Sequence, residues 1–243
     1  MTKRQKGAAA AAPYAPTPAE TAAEAARAGF ELSAPQAEAL SRYLTLLLKW
    51  SRAMNLVGRT GWPEVFRDLA ADSLHLARFL AEAGLPPNPL TLDLGAGAGL
   101  PGIPLRVLWP EGEYVLVELR EKRAIFLTQA VAAVRLARTF VLHGRAEGAV
   151  QALPGLGLLR PRQGADLVLS RAFMPWPRLL PLAAGLLGPD RAEAGGKLVV
   201  LANEAPPAAI GEGLGAGFRL AGAREYPAGG GRRYFWLLEL DRV

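Results

Sequence analysis

Leu90-Thr-Leu-Asp93-Leu-Gly95-Ala-Gly97-Ala-Gly99-Leu100-Pro-Gly102-Ile-Pro104-Leu105 decides the fold. Pro89 and Gly95 bound a short apolar run that reads as a buried strand, and a helical pattern from Ile103 to Trp109 follows the glycines. Strand, tight turn and helix start open a βα unit. Glycine at 95, 97 and 99 lets the backbone take positive φ and lets a ligand approach where a Cβ would block it. Free N–H groups of such a turn point into the crevice at the strand's carboxyl end, where open α/β sheets bind ligands.

Two ligand classes fit glycines so spaced. Gly97-Ala-Gly99-Leu-Pro-Gly102 satisfies the dinucleotide pattern, which would make the chain an NAD-type nucleotide-binding oxidoreductase. Here, however, the turn starts two residues earlier, at Gly95, behind Asp93. A carboxylate there repels a pyrophosphate and suits a ligand with an ammonium group and hydroxyls, such as S-adenosylmethionine. Tyr114–Glu118 reads as a second strand ending in an acid about 20 residues beyond the turn, the spacing at which an acid accepts hydrogen bonds from both ribose hydroxyls. Asp93, Gly95, Gly97 and Glu118 are therefore expected at the cofactor, with Glu118 as ribose anchor.

The chain has 243 residues, enough for one α/β domain and an accessory segment, and no apolar run approaching the length of a membrane span. Without cysteine it has no disulfide, no thiolate zinc site and no nucleophile for cytosine-C5 methylation. His75 and His143, the two histidines, lie far apart in sequence, so no metal centre is expected. The net charge of +6 fits a polyanionic partner. From Arg120 to Arg178 there are ten cations, nine of them arginine, against Glu121, Glu147 and Asp166. Arginine grips phosphate bidentately, so this middle and Arg232-Arg233 are candidates for RNA phosphates.

Residues 1–29, basic and rich in Ala and Pro, read as a disordered tail. Residues 30–86 form a helical segment: Ser33-Ala-Pro-Gln36 has capping-box spacing, Leu40, Tyr43, Leu44, Leu47 and Leu48 recur at helical intervals, and a second helix runs from about Pro63 to Ala83. Residues 87–243 form an α/β domain. Leu90–Leu94, Tyr114–Glu118, Thr139–His143, Asp166–Ser170 and Lys197–Leu201 alternate with helices, which implies parallel βαβ units. Phe218–Tyr226 and Tyr234–Leu240, joined at Ala228-Gly-Gly-Gly231, end the sheet as an antiparallel hairpin. Gly155–Gly164, Gly188–Gly196 and Asn203-Glu-Ala-Pro206-Pro207 read as loops.

Several separate segments resemble one family. Leu92-Asp-Leu-Gly-Ala-Gly-Ala-Gly-Leu-Pro-Gly-Ile-Pro-Leu105, Lys122-Arg-Ala-Ile-Phe-Leu127, Gly144-Arg-Ala-Glu147 and Ser170-Arg-Ala-Phe173 are together similar to the glucose-inhibited division protein B family, with Lys49-Trp50, Asn55-Leu56 and Asp72-Ser73 resembling its N-terminal signatures. The resemblance implies a class I S-adenosylmethionine-dependent methyltransferase: a Rossmann-like seven-stranded sheet, last strand antiparallel, behind an N-terminal helical segment. It implies methyl transfer to N7 of a guanine in 16S ribosomal RNA of the small ribosomal subunit, in the cytoplasm, by a monomer. By matching positions, Gly95 and Leu100 would line the cofactor, Ala146 and Glu147 would meet its adenine end, and Arg171 would close the site. Two positions depart from the family pattern, Leu69 in place of a histidine and Ala202-Asn203 in place of a lysine.

Guanine N7 already carries an available lone pair, so in-line displacement on a sulfonium methyl needs no general base. Holding and aligning the two reactants, an effect worth roughly 7–11 kcal/mol in well-oriented cases, can carry catalysis. No catalytic acid or base is therefore assigned. Arg171 and Phe173, after the fourth strand, are expected at the target base, Phe173 by stacking. Lys122, Arg123, Arg145, Arg232 and Arg233 are expected on RNA. A non-catalytic RNA-binding protein on a disused methyltransferase fold is the remaining alternative; labelled cofactor would leave its RNA unmarked.

Overall fold

The computed structural model describes residues 15–58, 61–159, 161–188, 195–208 and 217–241. Helices α1 (Pro18–Arg27), α2 (Ala34–Met54) and α3 (Trp62–Val65), a π-helical turn (Phe66–Ala70) and α4 (Ala71–Ala81) precede the sheet. Then β1 (Leu90–Leu94), α5 (Gly102–Leu108), β2 (Glu113–Glu118), α6 (Glu121–Val134), β3 (Thr139–His143), α7 (Ala149–Ala152), β4 (Leu167–Arg171), α8 (Trp176–Leu186) and β5 (Lys197–Ala202) alternate. Strands β6 (Phe218–Ala228) and β7 (Gly231–Leu240) complete a sheet of order β3-β2-β1-β4-β5-β7-β6. The first five strands run parallel, and β7 runs antiparallel to both β5 and β6.

Strands β1 and β2 are buried throughout, as a parallel sheet covered on both faces requires. Successive side chains of β2 enter opposite layers: Leu116 joins Leu44, Phe66, Leu105 and Phe126, while Val115 joins Leu92, Leu180 and Trp236. The expected capping box on α2 is present, with Ser33 Oγ accepting from the Gln36 N–H and Gln36 Oε1 accepting from the Ser33 N–H at 2.9 Å. Gly229 and Gly230, both at positive φ, form the two-residue turn of the β6–β7 hairpin.

A disordered tail reaching residue 29 is corrected by α1. Thr17 and Glu20 cap it reciprocally, Ala25 and Thr21 are fully buried, and Ser41 Oγ of α2 donates to the Pro16 carbonyl at 2.7 Å. Its alanines look like low complexity in sequence, yet alanine is the strongest helix former and small enough to pack closely on α2. The helix expected over Pro63–Ala83 is a helical run broken by the π turn. Most of the Gly188–Gly196 loop, like residues 1–14, lies outside the described residues.

Helix α5 starts so close to the sheet that a Cβ on Gly102 would stand 2.5 Å from both Asp93 Oδ2 and Leu116 Cδ2. Gly102→Ala should therefore lower unfolding free energy by about 1–3 kcal/mol, the cost of overpacking a closed core. A urea titration with an unchanged midpoint would contradict this.

Candidate active site

The glycine turn after β1 and the carboxyl ends of β2, β3 and β4 enclose a cleft of about 360 Å³. Glu118, 5% exposed, holds two of its walls in place. Its Oε2 accepts the Gly97 N–H at 2.9 Å and its Oε1 accepts the Arg120 N–H at 2.7 Å. Each oxygen keeps a free lone-pair site, so the carboxylate can still take two donors from a ligand. Gly95 sits at φ +66°, and a Cβ there would lie 2.5 Å from the Phe173 ring, which therefore closes down on the turn. Ala146, Glu147 and Arg145 line the far side, and Arg123 and Leu119 the rim.

Leu119 was not singled out in the sequence. It leaves an apolar side chain 53% exposed within the cleft, a placement that water alone does not favour and a flat heterocycle would cover. The available signal was an apolar residue directly after the strand-ending acid.

Four expected cofactor residues do not line the cleft: Gly97, whose N–H is spent on Glu118, and Asp93, Leu100 and Arg171. Asp93 is not a wall of the cleft: it lies beneath the turn, 1% exposed, and accepts a hydrogen bond from Tyr114 Oη at 3.0 Å. Burial pushes its carboxyl up to about 7 against the opposing pull of Tyr114, Arg171 and the Gly102 N–H. Leu100 packs against the core rather than lining the cleft. Arg171 turns its guanidinium to the π turn and α4, where Nη2 meets Asp72 Oδ2 at 2.9 Å and Nη1 donates to the Leu69 carbonyl at 3.3 Å.

Asp72 is the anchor of a buried charge node. Only 1% exposed, it pairs through Oδ2 with Arg233 of β7 as well as with Arg171. Burial raises its carboxyl, and the two arginines oppose that rise. Arg233 also donates to the Asp68 carbonyl at 2.7 Å, so its expected place on RNA is corrected: its guanidinium ties the β6–β7 hairpin to α4. Arg232 is 74% exposed but paired with Glu225 at 3.0 Å. Lys122 is exposed on the first turn of α6, beside Arg123.

The N-terminal helices brace the turn from behind. Tyr43 Oη of α2 donates to the Ala98 carbonyl at 2.7 Å and Ser73 Oγ of α4 to the Pro101 carbonyl at 2.9 Å. Both side chains are fully buried. Trp50 and Met54 pack on the core, Trp50 against Phe126.

The family model of GidB, described as rRNA small subunit methyltransferase G, matches residues 36–192. A relative named ribosomal RNA small subunit methyltransferase G from Nitratidesulfovibrio vulgaris is 48% identical over 211 residues, covering 87% of this chain and 88% of that protein. One of the same name from Oleidesulfovibrio alaskensis is 43% identical over 221 residues, covering 88% and 90%. The chain belongs to the GidB family. Solved structures extend the likeness of fold: a mutant of MtNAS in complex with S-adenosylmethionine aligns with a TM-score of 0.52 at 15% identity over 84% of this chain and 72% of that one. A putative O-methyltransferase from Klebsiella pneumoniae aligns at 0.52 and 16% identity, over 82% and 90%.

Leu69, where the family resemblance led us to expect a histidine, serves Arg171 through its carbonyl, a contact independent of side-chain type. No helix of the described residues is long and apolar enough to cross a membrane, and none of them group into a site of three metal-ligating His, Cys, Asp or Glu.

The raised Asp93 carboxyl has a signed consequence for this GidB-family chain. A buried acid with its pKa lifted from 3.8 to about 7 favours the folded state while protonated, so its contribution is present below about pH 4 and is lost as pH rises towards 7. Asp93→Asn should remove this slope, up to about 4 kcal/mol across that window. Melting temperatures of both proteins at pH 4 to 8 should diverge steadily; parallel curves would refute the buried-acid account.

Proposed function

We propose that the chain binds S-adenosylmethionine in the cleft beside the glycine turn and transfers its methyl group to N7 of a guanine in 16S ribosomal RNA of the small ribosomal subunit, in the cytoplasm. The observation that carries this reading is Glu118: a strand-end carboxylate held by the turn's own N–H, with acceptor capacity left over, in a cleft floored by glycine. The lining fits the ligand's parts. Glu118 takes the ribose hydroxyls, Leu119 and Ala146 flank the adenine, and Glu147 accepts from its edge.

When bound, the sulfonium ligand supplies an electrophilic methyl group. The chain's residues orient and enclose. Phe173, half buried over Gly95, forms the wall on the β4 side and offers a ring on which an unstacked base can lie. No side chain is asked to move a proton. Arg123 and Arg145 stand at the cleft's mouth for RNA phosphates, with Lys122 exposed next to Arg123 on α6.

Incubation with methyl-labelled S-adenosylmethionine and small subunits should label 16S RNA at one guanine, and cleavage chemistry selective for 7-methylguanine should map it. Unlabelled RNA, or label on an exocyclic nitrogen, would overturn the reading. Glu118→Gln, which loses the charge but keeps one acceptor, should weaken S-adenosylmethionine binding on the order of tenfold or more by calorimetry. Separately, subunit affinity should fall steeply as salt rises, with a log-log slope that shrinks by about one for each of Lys122, Arg123 and Arg145 neutralised.

A further inference from the structure

A second concavity, of about 530 Å³, lies outside the cleft just described. Its walls come from α1, the π turn, α4 and the tip of the β6–β7 hairpin. The hairpin tip extends past Tyr234, the partner of Ala202 at the end of β5, so it rises from the same sheet edge as the glycine cleft. Neither α1 nor the hairpin falls within residues 36–192 matched by the family model.

Three features of this concavity suit a ligand. The π turn and the start of α4 bring Arg67 and Ala71 to one wall, over the buried Phe66, and such insertions into helices recur at binding sites. Opposite them stand three consecutive glycines, of which the two-residue turn requires only Gly229 and Gly230. Gly231 has no positive φ, and a Cβ there would meet nothing nearer than 3.9 Å. The fold leaves that position free to carry a side chain; a wall kept open to a flat group does not. The third feature is the lining itself, with an aromatic and small-apolar surface below and charges at the rim. The half-buried His75 ring lies between Phe30 and Tyr226, at centroid distances of 4.8 and 4.9 Å. Arg27 and Arg67, 71% and 57% exposed, share the buried Glu24 carboxylate, leaving one cation in surplus.

We propose that this pocket receives a single unstacked nucleotide of the substrate RNA, distinct from the methylated one, its base against the half-buried His75 ring and the small side chains of Ala28 and Ala228, and its phosphate at Arg27 and Arg67. Bases splayed from an RNA loop are recognised in this way, by ring faces with cations on the backbone. The subsite rests on the RNA reading above and adds to it a second point of grip, which would fix the substrate's orientation over the glycine cleft.

Gly231→Val adds bulk where the fold has room, and Ala28→Trp fills the pocket from α1. In filter binding with 16S ribosomal RNA, each variant should weaken affinity tenfold or more. In the methyl-transfer assay each should raise KM for small subunits to a similar extent, with kcat at saturation and S-adenosylmethionine affinity within twofold of wild type. Photo-cross-linking with 4-thiouridine-substituted RNA should mark the peptide containing Phe66, Arg67 and His75 in the wild type alone. Wild-type RNA affinity in both variants would overturn the subsite, as would an equal loss of S-adenosylmethionine binding. Filter binding needs no methyl transfer, so a wild type that labels nothing would count against the reaction proposed above while leaving the subsite's test readable.

Discussion

The hydrogen bond from the Gly97 N–H to Glu118 is the constraint on which the site depends. It joins the turn after β1 to the end of β2, so the two neighbouring strand ends act as one rim. Parallel pairing of Leu94 with Val117 sets the register that makes the bond reachable. The same carboxylate fixes the Arg120 N–H at the start of α6, which aims Arg123 at the cleft. A carboxylate bound by two backbone donors is stiff, and a stiff acceptor loses little entropy when a ligand's hydroxyls arrive.

The N-terminal helices enter the argument through the same turn. Parallel sheets leave their carboxyl-end loops on the surface, where backbone polar groups are solvated and mobile. Here Tyr43 and Ser73 bond the carbonyls of Ala98 and Pro101 from a dry side, and Gly102 lets α5 sit close beneath. The accessory segment is thus part of what shapes the turn, not only an appendage to it. Its other end meets the β6–β7 hairpin through Asp72 and Arg233, so α4 links the first functional loop of the chain to the last.

The βα alternation, the hairpin and the glycine cleft were legible because each rests on local rules. Burial on both faces makes β1, β2 and β5 apolar, glycine supplies positive φ, and an acid ends β2. Asp93 and Arg171 were misjudged for a common reason. Sequence spacing says that a residue stands at a strand's end, but not which way its side chain points. Asp93 points into the helix layer, where Tyr114 meets it, and Arg171 swings to Asp72, a partner 99 positions away in sequence. Helix α1 was missed because its buried residues are Thr21, Glu24 and Ala25, two of them polar and the third small, which carries almost no hydrophobic period.

Charge composition has to be discounted by the same logic. Arg106 is 3% exposed and spends its guanidinium on the carbonyls of Trp109, Glu111, Gly112 and others, with burial pulling it down to about 10. Arg138 and Arg162 bond Asn88 just ahead of β1, at the edge of the sheet opposite the cleft. Arg171 and Arg233 are committed to Asp72. A run of arginines in sequence is thereby divided between two ends of the sheet, and of the expected set only Arg123 and Arg145 remain at the cleft, with Lys122 exposed next to Arg123. Electrostatic attraction for a polyanion follows the cations that face solvent at one edge, so under the proposed function this smaller group, rather than the net charge of +6, is where RNA phosphates would be held.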